Sequence, residues 1–79
     1  MEEHRGSPRI RVHKPGEIIC KDGTAVACTV RNLSTTGACI EVSEQSDTSE
    51  SFHLVLGNVV NRDCHVVWRS GSLIGVAFE

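Results

Sequence analysis

Two short stretches of the chain carry residue types from which a site for a small anion can be made. The first is Arg5-Gly6-Ser7-Pro8-Arg9, two arginines four apart in a segment too polar to belong to a core. A guanidinium presents a planar fork of donors that matches phosphate oxygens, or the O6/N7 edge of guanine, in bidentate fashion, and lysine does not replace it well. Gly6 allows close approach of the backbone, and Pro8 restricts the segment, so less entropy is lost when it closes around a ligand. The competing reading is a solvated basic N-terminus. The second stretch is Asn32-Leu33-Ser34-Thr35-Thr36-Gly37. In an extended chain Asn32 and Ser34 project to one side while Leu33 points to the other, into the core. Their short amide and hydroxyl groups suit the polar edge of a base. Gly37 supplies either a positive φ or close packing where the next strand begins. Here the competing reading is a polar turn whose Asn and Ser bond their own backbone.

Such groups need a rigid scaffold, and the rest of the chain reads as strands. Period-two alternation, broken at intervals by turn residues, favours a meandering antiparallel sheet over helices. Six strands are expected, over residues 17–20, 24–31, 37–43, 52–56, 64–69 and 73–78. Asp22-Gly23 reads as a two-residue hairpin turn, since both residues tolerate positive φ. Val26, Cys28 and Val30 share a core-facing side, as do Ala38, Ile40 and Val42. Between Ser43 and Ser51 there is no apolar residue, so that stretch cannot offset ordering entropy by burial and is expected to be a mobile loop. Trp68 alternates with Val66 and Cys64, which assigns it to the core or a barrel end ahead of a role stacking on a ligand. Closing the strands into a barrel removes the exposed edges that so small a protein has no helices to cover. The expected organisation is one domain, 1–79, with a flexible basic arm over 1–14 and a barrel over 15–79.

Composition narrows the function. A chain of 79 residues has room for one core and not for a deep, dry catalytic pocket as well. Three aromatics, Phe52, Trp68 and Phe78, and no tyrosine leave little for a platform that tracks single-stranded nucleic acid. The formal net charge of −2 argues against general binding to DNA, RNA or an anionic membrane. The distribution is less neutral than the total. Residues 4–14 hold Arg5, Arg9, Arg11 and Lys14 with no acid, whereas residues 41–50 hold four acids with no lysine or arginine. No apolar run reaches the roughly 18–20 residues of a membrane span, and no apolar region follows the charged N-terminus, so a cytoplasmic protein without membrane insertion is expected. Cys20, Cys28, Cys39 and Cys64 are then expected to be reduced, and their spacing contains no Cys-x-x-Cys for zinc. His13, His53 and His65 read as surface strand residues without a nucleophile at a useful spacing, so no enzymatic activity, metal or cofactor is expected.

An Arg-x-x-x-Arg at Arg5 and Arg9, a hairpin, then Asn-x-Ser-x-x-Gly at Asn32, Ser34 and Gly37, then short alternating strands, resembles the PilZ domain family over nearly the whole chain. The ending Val66-Val67-Trp68-Arg69 and Ile74-Gly75-Val76-Ala77-Phe78 is similar to the last two strands of such domains. The resemblance implies an all-β fold, a six-stranded antiparallel PilZ-type barrel with a basic N-terminal arm. It also implies a bacterial receptor for the second messenger cyclic di-GMP, with Arg5, Arg9, Asn32, Ser34 and Gly37 binding the ligand. His4, Arg11, Arg31 and Arg69 are candidates for a supporting role. On ligand binding the arm is expected to change conformation and present a surface to a downstream protein partner. His4 stands where many relatives have a further arginine, and Gly6 replaces another commonly basic position, which favours one bound ligand molecule. Relatives often continue into a helix where this sequence ends at Glu79, so output is expected through the arm or the barrel exterior. The alternatives are a PilZ-fold interaction module that does not bind cyclic di-GMP, and a small metal- or redox-responsive protein built on the four cysteines.

Overall fold

The computed structural model describes residues 9–43 and 49–79. His4, Arg5 and Gly6, and most of the polar stretch after Ser43, therefore lie outside the described residues. Six strands form a closed antiparallel barrel: β1 (Ile10–Ile19), β2 (Ala25–Leu33), β3 (Gly37–Glu41), β4 (Ser51–Leu56), β5 (Val60–Ser70) and β6 (Leu73–Phe78). Around the barrel the order is β1-β2-β3-β6-β5-β4. Strand number, class and closure are as the sequence leads one to expect. The connectivity is not a pure meander, because β3 pairs with β6 and β4 returns to β1. The long polar connection between β3 and β4 is what permits this, since a tight turn would force the two strands to be neighbours.

The core follows directly from alternation. β4 is the cleanest case, with Phe52, Leu54 and Leu56 buried and the residues between them half-buried. Ile18, Val30, Ile40, Leu54, Ile74 and Cys64 are the largest fully buried side chains, drawn from all six strands. Burying an aliphatic side chain of this size contributes about 1.5–3 kcal/mol each.

Four local expectations change. β1 begins at Ile10 rather than near Glu17, so residues 10–14 belong to the sheet and not to an arm. Lys14, Pro15 and Gly16 hide the strand in the sequence. Pro15 is accommodated because β1 is paired only with β2 until Glu17, where β4 joins it. The first turn is longer than two residues: Cys20 N–H donates to Thr24 C=O and Gly23 N–H to Cys20 C=O. Only Gly23 takes a positive φ there, of 93°, while Asp22 Oδ1 accepts from Thr24 N–H at 2.9 Å. β5 starts at Val60, four residues before the expected point, its polar run Asn61-Arg62-Asp63 pairing with Val55, Leu54 and His53.

The fourth change concerns Trp68. A register shift between Val66 and Trp68 breaks the alternation of β5, so Trp68 stands opposite Gly75 instead of continuing the inward row of Cys64 and Val66. The indole is 44% exposed on the outer wall. A β-bulge re-aims a side chain in this way by inserting one residue into the ladder.

Candidate functional site

Residues directly opposite one another in antiparallel strands share a face of the sheet. Strand pairing therefore places Arg11, Asn32, Cys39, Gly75 and Trp68 in one continuous row across β1, β2, β3, β6 and β5. The three register shifts among the described strands all adjoin this row, at Arg11, at Asn32 and at Trp68. The shift at Asn32 matters most. Cys28 and Val30 face the core, and unbroken alternation would send Asn32 inward after them. The extra residue, Arg31, turns Asn32 to the outside and returns Leu33 to the interior beside Ala38.

Cys39, Gly75 and Trp68 of this row line a shallow trough together with Arg9 and Gly37, and Arg11 and Asn32 lie outside that lining. Two glycines allow close packing along its lining. A Cβ on Gly75 would overlap the Trp68 indole, and a Cβ on Gly37 would overlap the carbonyl oxygen of Val76. Gly37 has no positive φ, so close packing, not backbone freedom, is the reason for glycine at that position. Arg9 lies at the rim, where its Nη1 donates to Asn32 Oδ1 at 2.8 Å. Sequence positions 23 apart are thereby brought into contact, and a guanidinium with donors to spare is held over the trough.

Ser34 has a different setting. Its Oγ accepts from the N–H groups of Thr36 and Gly37 at 3.3 and 3.2 Å, and Ser34 N–H donates to Gly37 C=O at 2.9 Å. These bonds close the loop between β2 and β3, and Phe78 N–H donating to Thr36 C=O ties that loop to the end of β6. Ser34 therefore shapes the loop beside Asn32 by bonding its own backbone.

The supporting cations divide. Arg11 stands opposite Asn32 in the row. Arg31 Nη1 donates to Glu41 Oε1 at 2.6 Å, an exposed pair. Arg69 stands opposite Ile74 and reaches Ser49 C=O at 3.3 Å, outside the trough lining. Arg5 and His4 lie outside the described residues. Cys39, 8% exposed on the trough floor, has its thiol pKa raised by burial, with the positive charges of Arg9 and Arg31 acting in the opposite direction. Trp68 is the component that sequence reasoning placed in the interior; the Gly75 beneath its indole is a signal of it, but one that only pairing reveals.

A second hollow lies between Lys21, Ser51, His53, Asp63 and Glu79. Its polar groups largely satisfy one another. His53 Nδ1 bonds Asp63 Oδ1 at 2.8 Å and its Nε2 bonds Asn61 Oδ1, and these hydrogen bonds raise the His53 pKa. With both ring nitrogens engaged, His53 is poorly placed to act as a base. Among the described residues no group of three or more His, Cys, Asp or Glu is arranged to hold a metal ion, and all four cysteines are free thiols. No helix among them is long and apolar enough to cross a membrane.

The barrel with its arginine-rimmed trough is matched by a family assignment that covers essentially the whole chain. Residues 3–79 match the PilZ domain, and the chain belongs to that family, a family of cyclic di-GMP-binding domains. No curated protein sequence matches it.

Proposed function

We propose that this protein is a receptor for cyclic di-GMP that signals by binding a protein partner, without catalysis of its own. The observation that carries the reading is the Arg9–Asn32 contact at 2.8 Å over the trough, in a chain that belongs to the PilZ family. The ligand has two phosphodiester charges and two guanines. Arg9, joined by Arg5 four residues earlier, supplies planar donors for phosphate oxygens and for the O6/N7 edge of guanine. Asn32 offers an amide on the barrel wall, Ser34 holds the loop that carries it, and Gly37 keeps that loop flush with β6. Arg11, in the same row, adds positive charge. His4, Arg31 and Arg69 play smaller parts: Arg31 is engaged with Glu41, and Arg69 points away from the trough. A change in the conformation of the N-terminal basic segment on ligand binding creates a new surface, and a partner recognising that surface reads the messenger.

The test is calorimetric titration of the full chain with cyclic di-GMP, with GTP as a control ligand. A bidentate arginine–guanine pair is worth about 1–3 kcal/mol, so Arg9→Ala should weaken binding by roughly one to two orders of magnitude, and the Arg5→Ala, Arg9→Ala double variant should abolish it. Absence of cyclic di-GMP binding by heat and by equilibrium dialysis would overturn the receptor reading and leave an interaction module.

A further inference from the structure

We infer that the free edge of β1 over residues 10–14 is a docking strand for an acidic, extended segment of a protein partner, which joins the barrel there as a further β-strand. This deepens the reading of a partner-binding domain, on which it rests. β1 pairs with β2 from Ile10 to Ile19, but with β4 only from Glu17 to Ile19. Among the described residues, the stretch 10–16 is therefore flanked by a strand on one side alone. Such an edge presents a row of main-chain N–H and C=O groups that another extended chain can pair. Pro15 has no N–H and ends the usable stretch at Lys14.

Two properties of the edge select what pairs with it. The first is charge. Residues 9–16 hold Arg9, Arg11, His13 and Lys14 and no acid, and the first carboxylate is Glu17, where β4 joins. All four of these basic residues are exposed. Cations and a register shift between Arg11 and Lys14 guard the edge against unselective pairing. A second copy added antiparallel by the same edge would bring Arg11, His13 and Lys14 of both chains into one ladder, and like charges opposite one another are destabilising. Glutamate or aspartate at those positions is stabilising instead. The second property is apolar. Ile10 stands opposite Leu33, which packs against the core, yet Ile10 is itself 63% exposed, because β4 does not reach it. A strand that alternates apolar and acidic residues covers Ile10 on one face and meets the cations. An anionic lipid or nucleic acid meets the cations but cannot pair the main-chain groups. The edge starts directly after Arg9, the residue held against Asn32, so the ligand and the partner meet adjoining positions of one strand.

The test is titration of the isotope-labelled full chain, with and without cyclic di-GMP, using an end-blocked heptapeptide of alternating valine and glutamate. Saturable binding is expected, with chemical-shift changes and slowed amide exchange centred on residues 10–14. The same peptide N-methylated at every residue cannot donate to the edge and should bind at least about tenfold more weakly. An alternating valine and lysine peptide should not bind. Lys14→Glu, with its fold checked by circular dichroism, should weaken the acidic peptide about fivefold. Shifts centred elsewhere, equal affinity for the N-methylated peptide, or no binding of the acidic peptide with or without cyclic di-GMP would overturn the docking strand. Binding of cyclic di-GMP with no peptide at the edge overturns this proposal and leaves the receptor reading intact. Peptide at the edge without any binding of cyclic di-GMP upholds the docking strand and removes the receptor.

Discussion

Along β4, Phe52, Leu54 and Leu56 are buried and the residues between them are not, without a break. Along the outer row from Arg11 to Trp68, by contrast, three of the five strands shift register beside the row, and a fourth, β6, contributes a glycine. Five of the six strands that fill the interior also carry the outer row, β4 being the exception. The interior is filled by keeping phase, so that every second side chain adds volume to one core. The outer row is made by losing phase, which brings Asn32 and Trp68 to the outside, with Gly75 leaving room for the Trp68 indole. Stability therefore resides in one set of positions and the proposed recognition in another, and substitutions in the two regions should have separable effects.

The strongest challenge to that division is a cavity in the interior. Leu54 is fully buried, and Leu54→Ala should cost about 2–5 kcal/mol of unfolding free energy, measured by urea denaturation. At temperatures where the variant remains folded, its affinity for cyclic di-GMP should match that of the parent. A loss of affinity in proportion to stability would show that the trough is not independent of the core. Arg9→Ala is the reciprocal case, with the affinity loss given above and a change in stability of less than about 1 kcal/mol.

A smaller effect per unit of change comes from pH. Cys28 and Cys64 face the core, and burial, reinforced by Glu17 near the first and by Glu79 and Asp63 near the second, pushes their pKa values up to about 11 and about 12 from the usual 9.0. Below the unfolded value both thiols are protonated in either state and do not alter the balance. As pH rises past it, the unfolded chain releases protons that the folded chain keeps. Stability should then fall by up to about 1.4 kcal/mol per pH unit for each thiol, until the folded values are passed. Thermal melts between pH 8 and pH 11 check this, and Cys28→Ala should reduce the slope. Cys39 contributes less, because Arg9 and Arg31 oppose the effect of its burial.

The same contrast explains what could be read without coordinates. Six strands, barrel closure and the inward set Cys28, Val30, Ala38, Ile40 and Val42 follow from alternation and turn residues. A turn within the Asn-x-Ser-x-x-Gly stretch was legible, because turn chemistry is local, but Asn32 and Leu33 belong to β2, and Gly37 could be read equally as a positive-φ or a close-packing position. The trough was not legible, because it depends on which strands are neighbours and on where each ladder slips. Trp68 keeps the parity of Cys64 and Val66 in the sequence, and only the inserted residue in β5 moves it outward. Likewise the sequence hides the first part of β1 because Lys14, Pro15 and Gly16 resemble a turn, although one-sided pairing lets them lie in a strand. Arg31 was legible as an outward cation, but its partner Glu41 lies on the neighbouring strand. The contribution of Arg5 rests on its spacing from Arg9, since it lies outside the described residues.

The central claim, that the outer row is where the messenger binds, is tested most directly by amide and indole chemical-shift mapping of the full chain titrated with cyclic di-GMP. The account predicts the largest shifts at Arg9, Arg11, Asn32, Gly37, Cys39 and Gly75 and at the Trp68 indole N–H, with the hollow at His53 and Asp63 little affected. Shifts centred on His53, Asp63 and Glu79, or no shifts at saturating ligand, would contradict it.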